Sequence, residues 1–267
     1  MVSKTSIIFM FITMAITLLL PVILTIIVAK KHKKVLLAVA SGILSFFVLQ
    51  VLIRIPLLQL TSKIKIETDL AIFIYLFFMA FSAALFETVG RYIFIKLLLK
   101  QDFRYETGLA HGIGHGGIEA IVLIGMSYIN YLIFAFIINS GNLGTVTDAL
   151  PEAAAQEILL LRDTLINTNS YLFLVAGVER VFTIFIHIAL SVLMMYGFKT
   201  KKYYYFLIVL AIHFLVDFSV GIISTYIGSV IFAEILMLII AGLAIVIIFG
   251  FKNKFTENQE ENRVDLI

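Results

Sequence analysis

Two histidines and a glutamate fall four residues apart in the segment Gly108-Leu-Ala-His111-Gly-Ile-Gly-His115-Gly-Gly-Ile-Glu119. A helix turns about 100° per residue, so steps of four leave all three side chains on one stripe. Other ionisable groups repeat the pattern in other apolar stretches: Glu87 with Arg91 and His213 with Asp217, both four apart, and Arg180 with His187, seven apart. Histidines and carboxylates together suit two chemistries. In one, a glutamate and a histidine activate water while a histidine and an aspartate steady the developing oxyanion. In the other, zinc is held by His115, His187 and His213 with Glu119 or Asp217. No local motif chooses between them: His-Glu-x-x-His is absent, and His111-x-x-x-His115 lacks its embedded glutamate. Ser219, Ser191 and Thr183 lie near these groups without a nucleophile–base spacing. The chain has no cysteine, which excludes thiolate ligands, disulfides and a cysteine nucleophile.

The elements that carry these residues are membrane spans. With 61% hydrophobic and 14% charged residues, the 267-residue chain is too apolar for a soluble domain, and its apolar runs reach the roughly 20 residues that cross a bilayer. Segments of alternating polarity, the mark of a membrane β-barrel, are missing. The fold class is therefore all-α, a polytopic bundle of about seven spans: Ser6 to Ala29, Val35 to Leu60, Leu70 to Ile95, Thr107 to Ile138, Tyr171 to Tyr196, Tyr203 to Ser224 and Ser229 to Phe251. The membrane domain is expected over 1–251, with a solvated, disordered tail at 252–267. Gly42 and Pro56 are expected to bend the second span, and the glycines around His111 and His115 to let the fourth approach its neighbours closely. The first span is read as retained, because it lacks a cleavage site and ends in lysines.

Basic residues partition sharply. Segments 30–34, 96–106, 199–202 and the tail hold thirteen of the Lys and Arg residues, whereas the N-terminus and segments 61–69 and 139–170 hold four. The positive-inside rule then places the N-terminus outside and the C-terminus inside the cytoplasmic membrane. That charge pattern reports topology and offers no surface for nucleic acid. Within segment 139–170, Asp148-Ala-Leu-Pro151-Glu152 reads as a helix start, and the stretch from Ala153 to Leu165 as a surface helix closing the bundle from outside.

Counted from the inferred cytoplasmic ends, Glu87, His115, His187 and His213 lie about 8 to 10 residues in, or about 12–15 Å at 1.5 Å per residue. Four helices thus deliver ionisable groups to one layer, and a buried charge is costly enough to argue for a shared site facing the bundle interior. Arg54 and Glu234 have no mates at matching depth and read as structural. His111, one turn from His115, reads as a partner for neighbouring backbone.

Phe86-Glu87-Thr-Val-Gly-Arg91, then Gly-His115-Gly-Gly-Ile-Glu119, then Glu179-Arg180 with His187, then His213-Leu-Val-Asp217, is an ordered set that resembles the YhfC family of intramembrane proteases. That family is grouped with the CAAX- and bacteriocin-processing (CPBP) endopeptidases, and more distantly with PrsW-type proteases and the Aph scaffold of γ-secretase. The resemblance covers about 70–225. It implies Glu87 and His115 as activators of the hydrolytic water, His213 and Asp217 as oxyanion stabilisers, Arg91 as organiser of the glutamate, and His187 as a further polar position of the core. Phe86 replaces the first glutamate of the CAAX-type doublet, which makes Glu119 a rival to Glu87 as base.

The expected function is an intramembrane endopeptidase acting on a membrane-associated peptide or protein in contact with membrane lipid. Metal-free, glutamic-type catalysis is set ahead of zinc, because Arg91 would place fixed positive charge beside a cation. The alternatives are a zinc enzyme with His115, His187, His213 and Glu119 as ligands, and a non-catalytic scaffold or transporter built on the same polar layer.

Overall fold

The computed structural model describes residues 1–32, 35–60 and 67–264. Among them the chain is helical without strands: α1 (Lys4–Lys31), α2 (Leu36–Gln59), α3 (Asp69–Leu99), α4 (Tyr105–Asn139), α5 (Leu143–Asp148), α6 (Glu152–Asn167), α7 (Ser170–Thr200), α8 (Tyr204–Ile227) and α9 (Val230–Val264). Seven of these, all but α5 and α6, are long and apolar enough to cross a membrane. Their ends fall within a few residues of the expected spans, apart from α9, whose backbone stays helical through the segment expected to form the tail, as far as Val264. Lys33, Lys34, Lys63, Lys65 and the last three residues, on which part of the topology and tail expectations rests, lie outside the described residues.

Three of the spans contain π-helical turns, at Phe47–Arg54 in α2, Ile95–Leu99 in α3 and Ala120–Gly125 in α4, and a fourth such turn ends α8 at Ile223–Ile227. The helix of α2 runs through Gly42. A Cβ there would lie 2.0 Å from the carbonyl oxygen of His111, so its function is close approach to α4. Pro56 opens the short α-helical turn after the π segment, where its missing N–H is tolerated.

The chain divides into two compact units. One comprises residues 1–20 and 120–181. Its core is Met10, Tyr128, Leu132, Leu165 and Phe173, tied by Thr13 Oγ1 and Tyr128 OH, which both donate to the Phe173 carbonyl. Helix α6 begins one residue after Pro151, as its sequence predicted, and anchors through the fully buried Leu165.

The other unit comprises residues 21–119 and 182–267 and holds the polar layer. Here α4 is wedged between α2 and α7. A Cβ on Gly114 would stand 2.1 Å from the Val39 carbonyl oxygen, and one on Gly112 would stand 2.4 Å from the Ile188 Cα. On the other side of α3, Phe77 and Phe81 interlock with Phe214 and Phe218 of α8 through edge-on ring contacts at 5.0–6.1 Å. Such pairs fix the rotation of both helices, so the stripe of α3 that carries Glu87 faces the stripe of α8 that carries His213.

Candidate metal centre

The expected layer exists, and its members touch. His115 on α4 places Nε2 2.9 Å from Glu87 Oε2 on α3. His187 on α7 places Nε2 2.5 Å from Glu119 Oε2 on α4. The His115 and His187 rings lie 4.9 Å apart, and those of His187 and His213 5.4 Å apart. His213 on α8 keeps longer distances, with Nε2 3.6 Å from Glu87 Oε2 and 3.5 Å from Asp217 Oδ2. Glu87, Arg91, His115, Glu119, His187 and His213 are all buried, whereas the Asp217 side chain is 35% exposed. Asp217 is thus the most exposed side chain of the group.

Arg91 is the cation of the layer. Its Nη2 donates to His187 Nδ1 and lies 3.8 Å from Glu87 Oε2, so it contacts both a carboxylate and an imidazole. One guanidinium balances one carboxylate, yet Glu87 and Glu119 are both buried beside it. Two carboxylates buried beside one guanidinium are costly in a bilayer, and such a site suits a further proton or cation.

Glu87, His115, Glu119 and His187 each offer one ligand atom, and these four atoms all lie within 4.8 Å of one another. Zinc bonds to nitrogen and oxygen of about 2.0–2.2 Å put tetrahedral ligand atoms about 3.3–3.6 Å apart, so small side-chain movements would enclose an ion. The donor set, imidazole with carboxylate, also suits zinc. The set differs from the one expected from sequence: Glu87 joins His115, Glu119 and His187, and His213 stands outside.

The remaining sequence candidates separate from this cluster. His111 is buried one turn away and pairs through Nδ1 with Ser191 Oγ at 3.2 Å, a side chain rather than the expected backbone. Arg54 finds partners on α3, donating through Nε to Ser82 Oγ and through Nη2 to the Met79 carbonyl. Arg180 pairs with its neighbour Glu179 in the other unit. Sequence reading passed over Ser45. Its Oγ lies 2.7 Å from His115 Nδ1 and donates to the Gly42 carbonyl at 2.7 Å. A serine in an apolar run carries no spacing signal. Only the packing of Gly42 against the His111–His115 turn brings it into reach.

The chain matches the family described as YhfC intramembrane metalloprotease over residues 16–245. It is also 31% identical, over 263 residues, to a Bacillus subtilis (strain 168) protein named uncharacterized membrane protein YhfC, an alignment covering 96% of this chain and 100% of that one. The chain belongs to the YhfC intramembrane metalloprotease family. No solved structure matches it. Membership and the buried Glu/His group together correct the expectation of a metal-free site: the metal-dependent alternative is the better supported of the two. The charge of Arg91, taken from sequence as an argument against a cation, stands here beside two buried carboxylates, Glu87 and Glu119.

Proposed function

We propose that this protein is a metal-dependent intramembrane endopeptidase whose divalent cation, zinc by the chemistry of the donors, is held within the group Glu87, His115, Glu119 and His187. The observation that carries the reading is the convergence of these four buried side chains from three helices. Neither a scaffold nor a helix-packing role needs two carboxylates and two imidazoles gathered at one point, given what each costs to bury. The bound cation would act as a Lewis acid toward the peptide carbonyl and make water acidic enough to attack near neutral pH.

The chain's own groups supply the proton transfers. Among the described residues His213 has the longest polar distances of the layer's imidazoles, 3.5 and 3.6 Å, which suits a ring that takes up and releases a proton. It accepts a proton from the attacking water as oxygen bonds to the carbonyl carbon. When the C–N bond breaks, it returns that proton to the leaving nitrogen. Asp217 and Glu87, at 3.5 and 3.6 Å from Nε2, stabilise the imidazolium formed meanwhile. The half-exposed Asp217 marks where a peptide enters, and the substrate is a membrane-associated peptide or protein because the layer lies within membrane-spanning helices. The order of motifs is compatible with kinship to the CPBP endopeptidases, with the same Glu87, His115, His187, His213 and Asp217 in a metal-dependent role. The basic segments favour a cytoplasmic membrane location with the N-terminus outside.

The test is purification without added metal, metal analysis, and cleavage of membrane peptides before and after chelation. Stoichiometric zinc, loss of cleavage on its removal and recovery on its return are expected. Full cleavage by metal-free protein would overturn the reading in favour of glutamate catalysis.

A further inference from the structure

The two imidazoles of the cluster are held in different ways. Arginine has five N–H donors and no acceptor. His187 Nδ1, which hydrogen-bonds to Arg91 Nη2, must therefore present its lone pair there. A neutral imidazole has one N–H, and in His187 it is then on Nε2, facing Glu119 Oε2 at 2.5 Å. A nitrogen that carries a proton has no lone pair for a cation. Reversing the tautomer would set the His187 N–H against the guanidinium N–H, two donors face to face in a buried site.

His115 is held the opposite way. Ser45 has a single hydroxyl proton, which it donates to the Gly42 carbonyl, so the hydroxyl oxygen receives the proton of His115 Nδ1. A neutral His115 then has its lone pair on Nε2, turned into the cluster 2.9 Å from Glu87 Oε2, and two such acceptors need a cation, or in the metal-free protein a proton on Glu87, between them. The His187 ring has little room to escape its arrangement, because Gly116 lies so close that a Cβ there would be 3.1 Å from the His187 Cβ and 3.2 Å from its Cδ2.

We propose that His115 is the nitrogen ligand of the cation, and that His187 is a positioning residue which, gripped by Arg91, aims its Nε2–H at Glu119 and holds that carboxylate in place as a ligand beside Glu87. The assignment rests on the metal-dependent reading given above and names the division of labour within it. It leaves three protein ligands, one imidazole and two carboxylates, the number typical of a catalytic zinc site with a position open for substrate.

Zinc titration of chelator-stripped, detergent-solubilised protein tests the assignment, with wild type compared with His187→Gln, His187→Ala and His115→Gln. Glutamine carries an amide N–H2 where the histidine Nε2 sits, so it can still donate to Glu119 but replaces an imidazole ligand poorly. His187→Gln should bind zinc within about threefold of wild type and His187→Ala about 10- to 100-fold more weakly, while His115→Gln should lose stoichiometric zinc. Loss of zinc in His187→Gln as complete as in His115→Gln would overturn the assignment. Absence of zinc from wild type would instead strike the metal-dependent reading. Nitrogen NMR of 15N-histidine-labelled, metal-free wild type decides the tautomers independently of any variant's folding. His187 is expected with its proton on Nε2 and His115 with its proton on Nδ1, and a His187 proton on Nδ1 would overturn the proposal.

Discussion

A Cβ atom on Gly42 would lie 2.0 Å from the carbonyl oxygen of His111 and 2.7 Å from the amide nitrogen of His115. Helices α2 and α4 thus meet backbone to backbone at the turn that presents His115. Neither contacting atom is on a movable side chain, so Gly42→Ala must drive the helices apart. The destabilisation should reach the upper end of overpacking costs, about 3 kcal/mol, and Ser45 should move out of reach of His115. Gly242→Ala is the control, since nothing lies within 4 Å of a Cβ there. Its effect should be neutral, or stabilising by up to about 1 kcal/mol. Thermal melting in detergent checks both, and a Gly42→Ala protein as stable as wild type would contradict the packing described.

Ser45→Ala isolates the hydrogen bond from the packing. The substitution removes one oxygen from a fully buried site and leaves His115 Nδ1 without its partner. An unsatisfied buried donor costs about 1–3 kcal/mol, and loss of such an orienting partner typically weakens metal binding about 10- to 100-fold. Zinc affinity is the measurement, with melting temperature alongside. An unchanged affinity would show that Ser45 does not orient the ring.

The contrast between Ser45 and His115 also shows what was legible in the sequence. The spans could be read because hydrophobic length is a local property, and the layer because charged residues in lipid are rare enough for their depths to be compared. Glu87, His115, His187 and His213 meet as that comparison required. Which carboxylate faces which imidazole was hidden, because it depends on the rotation of α3, α4 and α7 about their axes, which no local spacing fixes. The balance between metal and glutamate chemistry was hidden for a related reason. The four donors come from three helices, at sequence separations that form no motif, and only their convergence reveals two buried carboxylates around one arginine.

Topology gives a separate prediction. The described residues hold seven helices long and apolar enough to cross a membrane, and if all seven cross, the odd number sets the two ends of the chain on opposite sides. The thirteen-to-four partition of basic residues between alternate segments then favours the C-terminal side as cytoplasmic. A reporter active only in the cytoplasm should be active when fused after Ile267, and inactive when fused within α6. The reverse pattern would invert the orientation and move the entrance beside Asp217 relative to the two membrane faces.

His213 separates proton transfer from metal binding. It stands outside the group of four candidate donors and lies 3.5–3.6 Å from two carboxylates. If it carries the proton, His213→Asn should keep its zinc and melt like wild type, while kcat falls about 10²- to 10⁴-fold, the usual contribution of general acid–base catalysis. Asp217→Asn should produce a smaller loss, since it removes only the charge that stabilises the imidazolium, and the Glu87 carboxylate remains. Binding of substrate to His213→Asn should change little, because the imidazole acts on protons in flight and not on the ground-state peptide. Loss of zinc from His213→Asn would contradict this role. It would return His213 to the ligand set expected from sequence, and it would require α8 to move toward Glu119 when the ion binds.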